Sequence, residues 1–369
     1  MKKNICIIGA GNIGIACAVE LSLNTDYSVF LLTKKAKLLP NHFKMINTDS
    51  TLEMESNYIS VTDDNKVALK NADVVIVTLP SFLIESIIND ILPFNPKIVY
   101  YFPGYGSKEL FSFPLLKKGI IIAGLERVPY IARLHDVATV YVSKKKELSC
   151  ASLKKEKTEY ACSLIEEFFN IPCKRISNYL TISFTPSNPI LHTARLYSMF
   201  KNYNFDSLIK KQIKFYADWT DYSSEILIGM DKELKNICDT FYELDLSQFR
   251  TIREHYESPD IKSMTNKISN IPAFQNIYSP LVEFENGYKI DSTSRYFLED
   301  FPFGLCNLKG YADLIKINTP FMNQVIKWYE KIIHINFLDI NNSILINDKT
   351  GIPQRFNMKN KSDIINFYK

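Results

Sequence analysis

The chain has 369 residues, 46% of them hydrophobic and 23% charged, and a formal charge of only +4. That length is enough for two domains with cores of their own, and the composition excludes a disordered or membrane-spanning chain. The small charge excludes a strongly basic nucleic-acid surface, since lysine runs such as Lys144–Lys146 lack the aromatic interleaving such a surface needs and read as a solvated face.

Lys3–Ile8 is short, apolar and β-prone. The Met1-Lys2-Lys3 start runs directly into it and no window approaches transmembrane length, so neither leader nor membrane anchor is expected, and the expected location is cytoplasmic. Gly9-Ala10-Gly11-Asn12-Ile13-Gly14 follows at once, and Ile15, Ala16, Val19, Leu21 and Leu23 then recur at helical spacing. Strand, glycine loop and helix in that order predict a dinucleotide site. Gly9 allows the tight turn, Gly11 lets the backbone approach a pyrophosphate, and Gly14 lets the helix pack closely on the strand, with Asn12 and Ile13 in the first turn facing the phosphates.

Ser28–Leu32 reads as the second strand, and Thr33, Lys34 and Lys35 stand where an NAD-type site carries a carboxylate. Two lysines and a hydroxyl suit a 2′-phosphate, so NADP(H) is expected over NAD(H). The mixed stretch Met45–Asp64 offers one short strand at Tyr58–Thr62. The apolar run after Asp73 reads as a strand buried on both faces, broken at Pro80 and followed by a helix through Leu83, Ile87, Ile88 and Leu92. Ile98–Phe102, Ile120–Gly124 and Ala138–Ser143 supply further strands. Ligands bind beyond the carboxyl ends of such strands, which directs Thr78, Leu79, Pro80, Pro103–Ser107 and Glu126 to the cofactor.

Helical spacing returns over Glu156–Phe169 and stops at Asn170-Ile171-Pro172. Beyond about residue 178 the alternation of strand and helix ends. Thr193–Phe200, Phe215–Leu246 and Phe321–His334 read as helices, and Asn341 to the end as a surface tail with an apolar patch at Ile344–Ile346. The expected architecture is therefore an α/β dinucleotide-binding domain over 1–178 and a mainly α-helical domain over 179–369. Seven cysteines without a C-x-x-C pair read as reduced, mostly buried thiols, and no metal site is expected.

Of five histidines, His42, His255 and His334 sit in polar or amphipathic contexts, and nothing in the pattern ties His135 to a cleft. His192 ends Asn188-Pro189-Ile190-Leu191-His192, which opens a helix just past the linker, where a neutral imidazole facing an interdomain cleft would serve as acid or base near neutral pH. In Ser294–Leu305 the charges of Arg295, Glu299 and Asp300 lie among aromatic residues, ahead of Pro302 and Gly304. A structural ion pair is one reading. The other is an arginine gripping a substrate carboxylate beside an aspartate that orients a histidine.

These segments resemble the octopine/nopaline-type opine dehydrogenases almost end to end. The likeness rests on Gly9–Gly14, Glu126–Arg133, Asn188–His192, Phe215–Thr220 and Arg295–Leu305, the last being the most specific. It implies a Rossmann-type domain followed by an all-helical domain of the 6-phosphogluconate-dehydrogenase C-terminal kind, with substrate between them. It further implies reductive joining of an amino acid to an α-keto acid, with His192 and Asp300 catalytic and Arg295, Tyr130 and Arg133 binding substrate. No nucleic-acid or membrane partner is expected, and a homodimer is allowed. Competing expectations are a ketopantoate-reductase-like or other hydroxy acid dehydrogenase, and a non-catalytic NADP-binding sensor.

Overall fold

The computed structural model describes residues 2–50, 52–204 and 207–369. Met1, on which the expectation of no leader rests, and Thr51, in the mixed stretch Met45–Asp64, lie outside the described residues. The chain divides into two units, Met1–Ser183 with Tyr368–Lys369, and Phe184–Phe367.

The strands of the first unit are, in chain order, Lys3–Ile8 (β1), Tyr27–Leu32 (β2), Phe43–Asn47 (β3), Glu53–Ser56 (β4), Ile59–Thr62 (β5), Val74–Val77 (β6), Ile98–Tyr101 (β7), Ile121–Leu125 (β8), Tyr130–Leu134 (β9), Thr139–Lys144 (β10), Leu148–Ser152 (β11) and Cys173–Arg175 (β12). The larger sheet has the order β12-β11-β8-β7-β6-β1-β2-β5. From β8 to β5 every neighbouring pair is parallel. The stretch β5-β2-β1-β6-β7-β8 is the strand order of a doubly wound dinucleotide fold, with its topological switch between β1 and β6. Buried runs such as Val74–Val77 are apolar on both faces, as a sheet covered on two sides requires.

A second sheet, β4-β3-β10-β9, was not legible from the polar, mixed segments that form half of it. Helix Asn12–Ser22 explains it. Ile15, Ala16, Cys17, Ala18, Val19 and Leu21 are all buried, so the helix is apolar all round and one sheet cannot cover it. Phe43, Met45, Val140 and Val142 of the small sheet join the same core. Lys144 departs from the expected solvated face, because its ammonium pairs with Glu20 of this helix.

In the second unit Thr193–Phe200 forms over the expected residues. The long helix expected from Phe215 is shorter, Asp221–Thr240, because the Thr220 side chain accepts from the Ser223 backbone N–H and sets its start there. Residues 215–219 remain a loop, on which the site depends. Phe297, Phe301 and Tyr329 stack in the core, and the Trp328 indole N–H donates to the Phe200 carbonyl. The hairpin Leu281–Phe284 (β13) with Gly287–Ile290 (β14) interrupts the helical pattern. The expected C-terminal tail instead ends in helix Lys361–Tyr368, which buries Ile364 and Ile365. Among the described residues no helix is long and apolar enough to cross a membrane.

Candidate active site

At the end of β1, Gly9 takes a φ of +110°, which a side chain would strain. Gly14 sits so close to that turn that a Cβ on it would lie 1.8 Å from the Gly9 carbonyl oxygen. At Gly11, by contrast, an added Cβ would meet nothing within 4 Å. No side chain caps helix Asn12–Ser22 at Gly11, so its first-turn N–H groups point into an open position suited to an anion. A dinucleotide pyrophosphate fits this cradle. The Thr78 hydroxyl, at the end of β6, braces the turn against the carbonyls of Ile8 and Gly9 at 3.1 and 3.2 Å. Leu79 leans over Gly9 and, like Pro80, is half-buried. Glu126 follows β8 and Thr33 follows β2. Apart from the helix residues, the expected cofactor positions thus follow the carboxyl ends of parallel strands. Lys34 and Lys35 are exposed, and the Thr33 hydroxyl accepts the Lys35 backbone N–H at 3.2 Å.

The second constellation lies wholly in the helical unit. Pro189 and Pro302 each break an α-helical ladder, and both Ser187–His192 and Tyr296–Leu305 adopt wider π-helical turns. The Thr193 hydroxyl takes up the Pro189 carbonyl at 2.6 Å. The two segments meet closely at Gly304, where a Cβ would stand only 3.1 Å from Pro189 Cβ. That approach sets Asp300 Oδ2 2.8 Å from His192 Nδ1. Burial pushes the Asp300 carboxyl above its ordinary range, and the neighbouring His192 draws it back.

His192 Nε2 lies 2.9 Å from the Tyr216 hydroxyl. Its ring packs edge-on against Phe215 and Tyr296, at 5.6 and 4.9 Å between centroids. Arg195, one turn after His192, fixes the loop that carries Tyr216. The buried guanidinium donates to the carbonyls of Phe215 (2.6 Å), Asp218 (2.8 Å) and Lys214 (3.2 Å) and to the Ser223 hydroxyl (3.0 Å). Burial lowers its pKa to about 10. A histidine held at one ring nitrogen by a buried carboxylate, with the other turned to a hydroxyl, is equipped to move a proton.

Of the other expected site residues, Tyr130 and Arg133 belong to the first unit and Arg295 to the second. Tyr130 is buried on β9, where its hydroxyl donates to the Glu20 carboxylate. Arg133, exposed on the same strand, donates to the Ala132 carbonyl. Arg295 caps the second π-helical segment one turn before Asp300, its side chain 64% exposed, and donates through Nε and Nη2 to Glu299. Tyr216 and Arg195 were missed as individuals. Phe215–Thr220 carried the resemblance without a role, and the signal available for Arg195 was a lone cation on an otherwise apolar helix face.

Residues 175–333 match the family described as NAD/NADP octopine/nopaline dehydrogenase, alpha-helical domain, and residues 5–111 match ketopantoate reductase PanE/ApbA. An uncharacterised protein of Sinorhizobium fredii, y4xO, is 26% identical, covering 89% of this chain and 94% of its own. Opine dehydrogenase of Haliotis discus hannai is 24% identical, covering 87% and 84%. Octopine dehydrogenase solved with NADH and L-arginine shares the fold with a TM-score of 0.87 at 20% identity, covering 100% of this chain and 99% of that one. The helical-domain model covers residues 175–333, and the solved octopine dehydrogenase shares the fold of the chain. The expected preference for NADP(H) is corrected by the same comparison. The octopine dehydrogenase matched at 0.87 holds NADH, whereas yersinopine dehydrogenase with NADP+ matches at 0.67 and 12% identity, covering 90% and 91%. Two exposed lysines after β2 are no guide to a second phosphate.

Proposed function

On the premise of an octopine/nopaline-type opine dehydrogenase, we propose that the chain joins an amino acid to an α-keto acid by reducing the imine between them, with NAD(H) as cofactor. The observation that carries this reading is His192, held at Nδ1 by Asp300 and walled by aromatic rings in the helical unit. A bound nicotinamide dinucleotide supplies the hydride. Gly9, Gly11 and Gly14 shape the pyrophosphate cradle, with Asn12 and Ile13 in the first helical turn. Thr33, whose oxygen accepts a backbone N–H, keeps its own proton for a ribose hydroxyl. Leu79, Pro80 and Glu126 border the same strand ends.

As the imine carbon is reduced, negative charge develops on nitrogen, and a proton must arrive there. His192 is the source of that proton, while Asp300 fixes the imidazole tautomer and stabilises the imidazolium. Arg295 grips a substrate carboxylate through its planar fork of donors. The ketopantoate-reductase family model covers residues 5–111, whereas residues 175–333 of the helical unit match the octopine/nopaline dehydrogenase model. All seven cysteines are free and buried, which suits the cytoplasm, where thiols stay reduced.

The test is a matrix of amino acids against pyruvate, 2-oxoglutarate and glyoxylate, read by loss of NADH absorbance, with each keto acid also offered alone. Oxidation that requires the amino acid is expected. Equal oxidation with keto acid alone would instead identify a hydroxy acid dehydrogenase.

A further inference from the structure

We propose that Tyr216 is a catalytic residue, the last member of a relay Asp300–His192–Tyr216 in which the phenol hydroxyl, rather than the imidazole, delivers the proton to the substrate nitrogen. The inference rests on the imine-reducing function above and goes beyond it in naming the group that touches the reacting atom. With Nδ1 committed to Asp300 at 2.8 Å, Nε2 is the only ring nitrogen from which His192 can pass on a proton, and the Tyr216 hydroxyl stands on it at 2.9 Å. A substrate nitrogen reaches Nε2 directly only if the tyrosine leaves.

The surroundings hold the tyrosine in place. The residue is 5% exposed and its ring is stacked, with Phe274 at 4.4 Å and 27° and Trp219 at 6.3 Å and 6°. The backbone beside it is fixed from both sides, because the Phe215 N–H donates to the Ile277 carbonyl at 2.7 Å while the Phe215 carbonyl accepts from Arg195 at 2.6 Å. Arg195 belongs to the helix that follows His192 immediately, so one short stretch of chain positions both ends of the His192–Tyr216 contact. A hydroxyl so placed can accept and donate at once.

The step balances as follows. Hydride adds to the imine carbon and the C=N π electrons pass to nitrogen, which takes the Tyr216 hydroxyl proton. The phenol oxygen takes the Nε2 proton of the imidazolium, and neutral His192 remains hydrogen-bonded to Asp300. The net change is one hydride and one proton added across C=N, and two protons move in the same step.

The experiment compares the full-length protein and Tyr216→Phe, which keeps the ring and its stacking, under single-turnover conditions so that product release does not mask chemistry. The reduction rate should fall on the order of 10²-fold, the scale of general acid catalysis, with dinucleotide affinity unchanged. In mixtures of light and heavy water the wild-type rate should follow a bowed proton inventory, the signature of two protons in flight. That second readout needs no variant and stands if Tyr216→Phe fails to fold. A near-native rate in Tyr216→Phe, or a straight wild-type inventory, would overturn the relay and leave imine reduction intact. A wild-type protein that forms no secondary amine would overturn both.

Discussion

At the scale of single residues, the account turns on side chains whose polar atoms are already spoken for. Asp300 is buried against His192, and removing a buried partner from such a pair leaves the other polar group uncompensated. Asp300→Asn should therefore lower the single-turnover rate on the order of 10²-fold while dinucleotide binding, measured by fluorescence titration, is unchanged. Loss of dinucleotide binding together with activity would point to misfolding rather than a lost orienting carboxylate. Arg295 poses a sharper choice, since its guanidinium already pairs with Glu299. If it grips a substrate carboxylate, Arg295→Lys should raise the amino-acid or keto-acid KM about tenfold, a loss near 1.4 kcal/mol, with thermal stability held. A lower melting temperature with native KM would make the Glu299 pair structural.

At the scale of elements, the buried acid Glu233 links two helices of the second unit. From within Asp221–Thr240 its two carboxylate oxygens accept the backbone N–H groups of Phe321 (2.7 Å) and Met322 (3.0 Å), at the start of helix Pro320–Ile333. Burial nevertheless pushes its pKa up from 4.5 to about 7, against the opposing pull of those bonds. A carboxyl whose folded value lies above its unfolded one holds its proton more tightly when folded. Its contribution is thus full below about pH 4.5 and is lost as pH rises through about 7. Glu233→Gln should flatten that part of the stability profile, measured as melting temperature against pH. It should also lower the baseline by about 1–3 kcal/mol, since a glutamine oxygen accepts only one of the two N–H groups fully and its NH2 group opposes the other. An unchanged slope between the two proteins would refute the assignment.

The same scale shows what was legible in the chain. Continuous apolar runs such as Val74–Val77 and the loop Gly9–Gly14 announced the nucleotide-binding sheet, because period and glycine chemistry are local. The second sheet was not legible. Phe43–Asn47 and Glu53–Ser56 are strands because helix Asn12–Ser22 needs a second cover, a demand set by contacts far apart in sequence. The start of the long helix at Asp221 was missed for a related reason: Phe215, Tyr216 and Trp219 continue a helical apolar period, yet Arg195 binds the backbone carbonyls of Phe215 and Asp218 in a loop. His192 stood out by its place just past the linker and Asp300 by its charged segment among aromatic residues, whereas their contact across 108 positions follows from the Pro189–Gly304 approach that no local pattern predicts.

At the scale of the whole molecule, the glycine cradle belongs to one unit and the His192 constellation to the other, and the proposed reaction adds one hydride and one proton to a C=N bond. The fate of the transferred hydride reports on that claim most directly. Incubating the protein with an amino acid, an α-keto acid and NADH bearing deuterium at the transferable C4 position, followed by mass spectrometry, locates the label. The account predicts one deuterium on the carbon between the former keto-acid carboxylate and the new secondary amine nitrogen. It also predicts that His192→Gln slows the appearance of this product on the order of 10²–10⁴-fold. Deuterium recovered in a 2-hydroxy acid, at the same rate whether or not the amino acid is present, would contradict it.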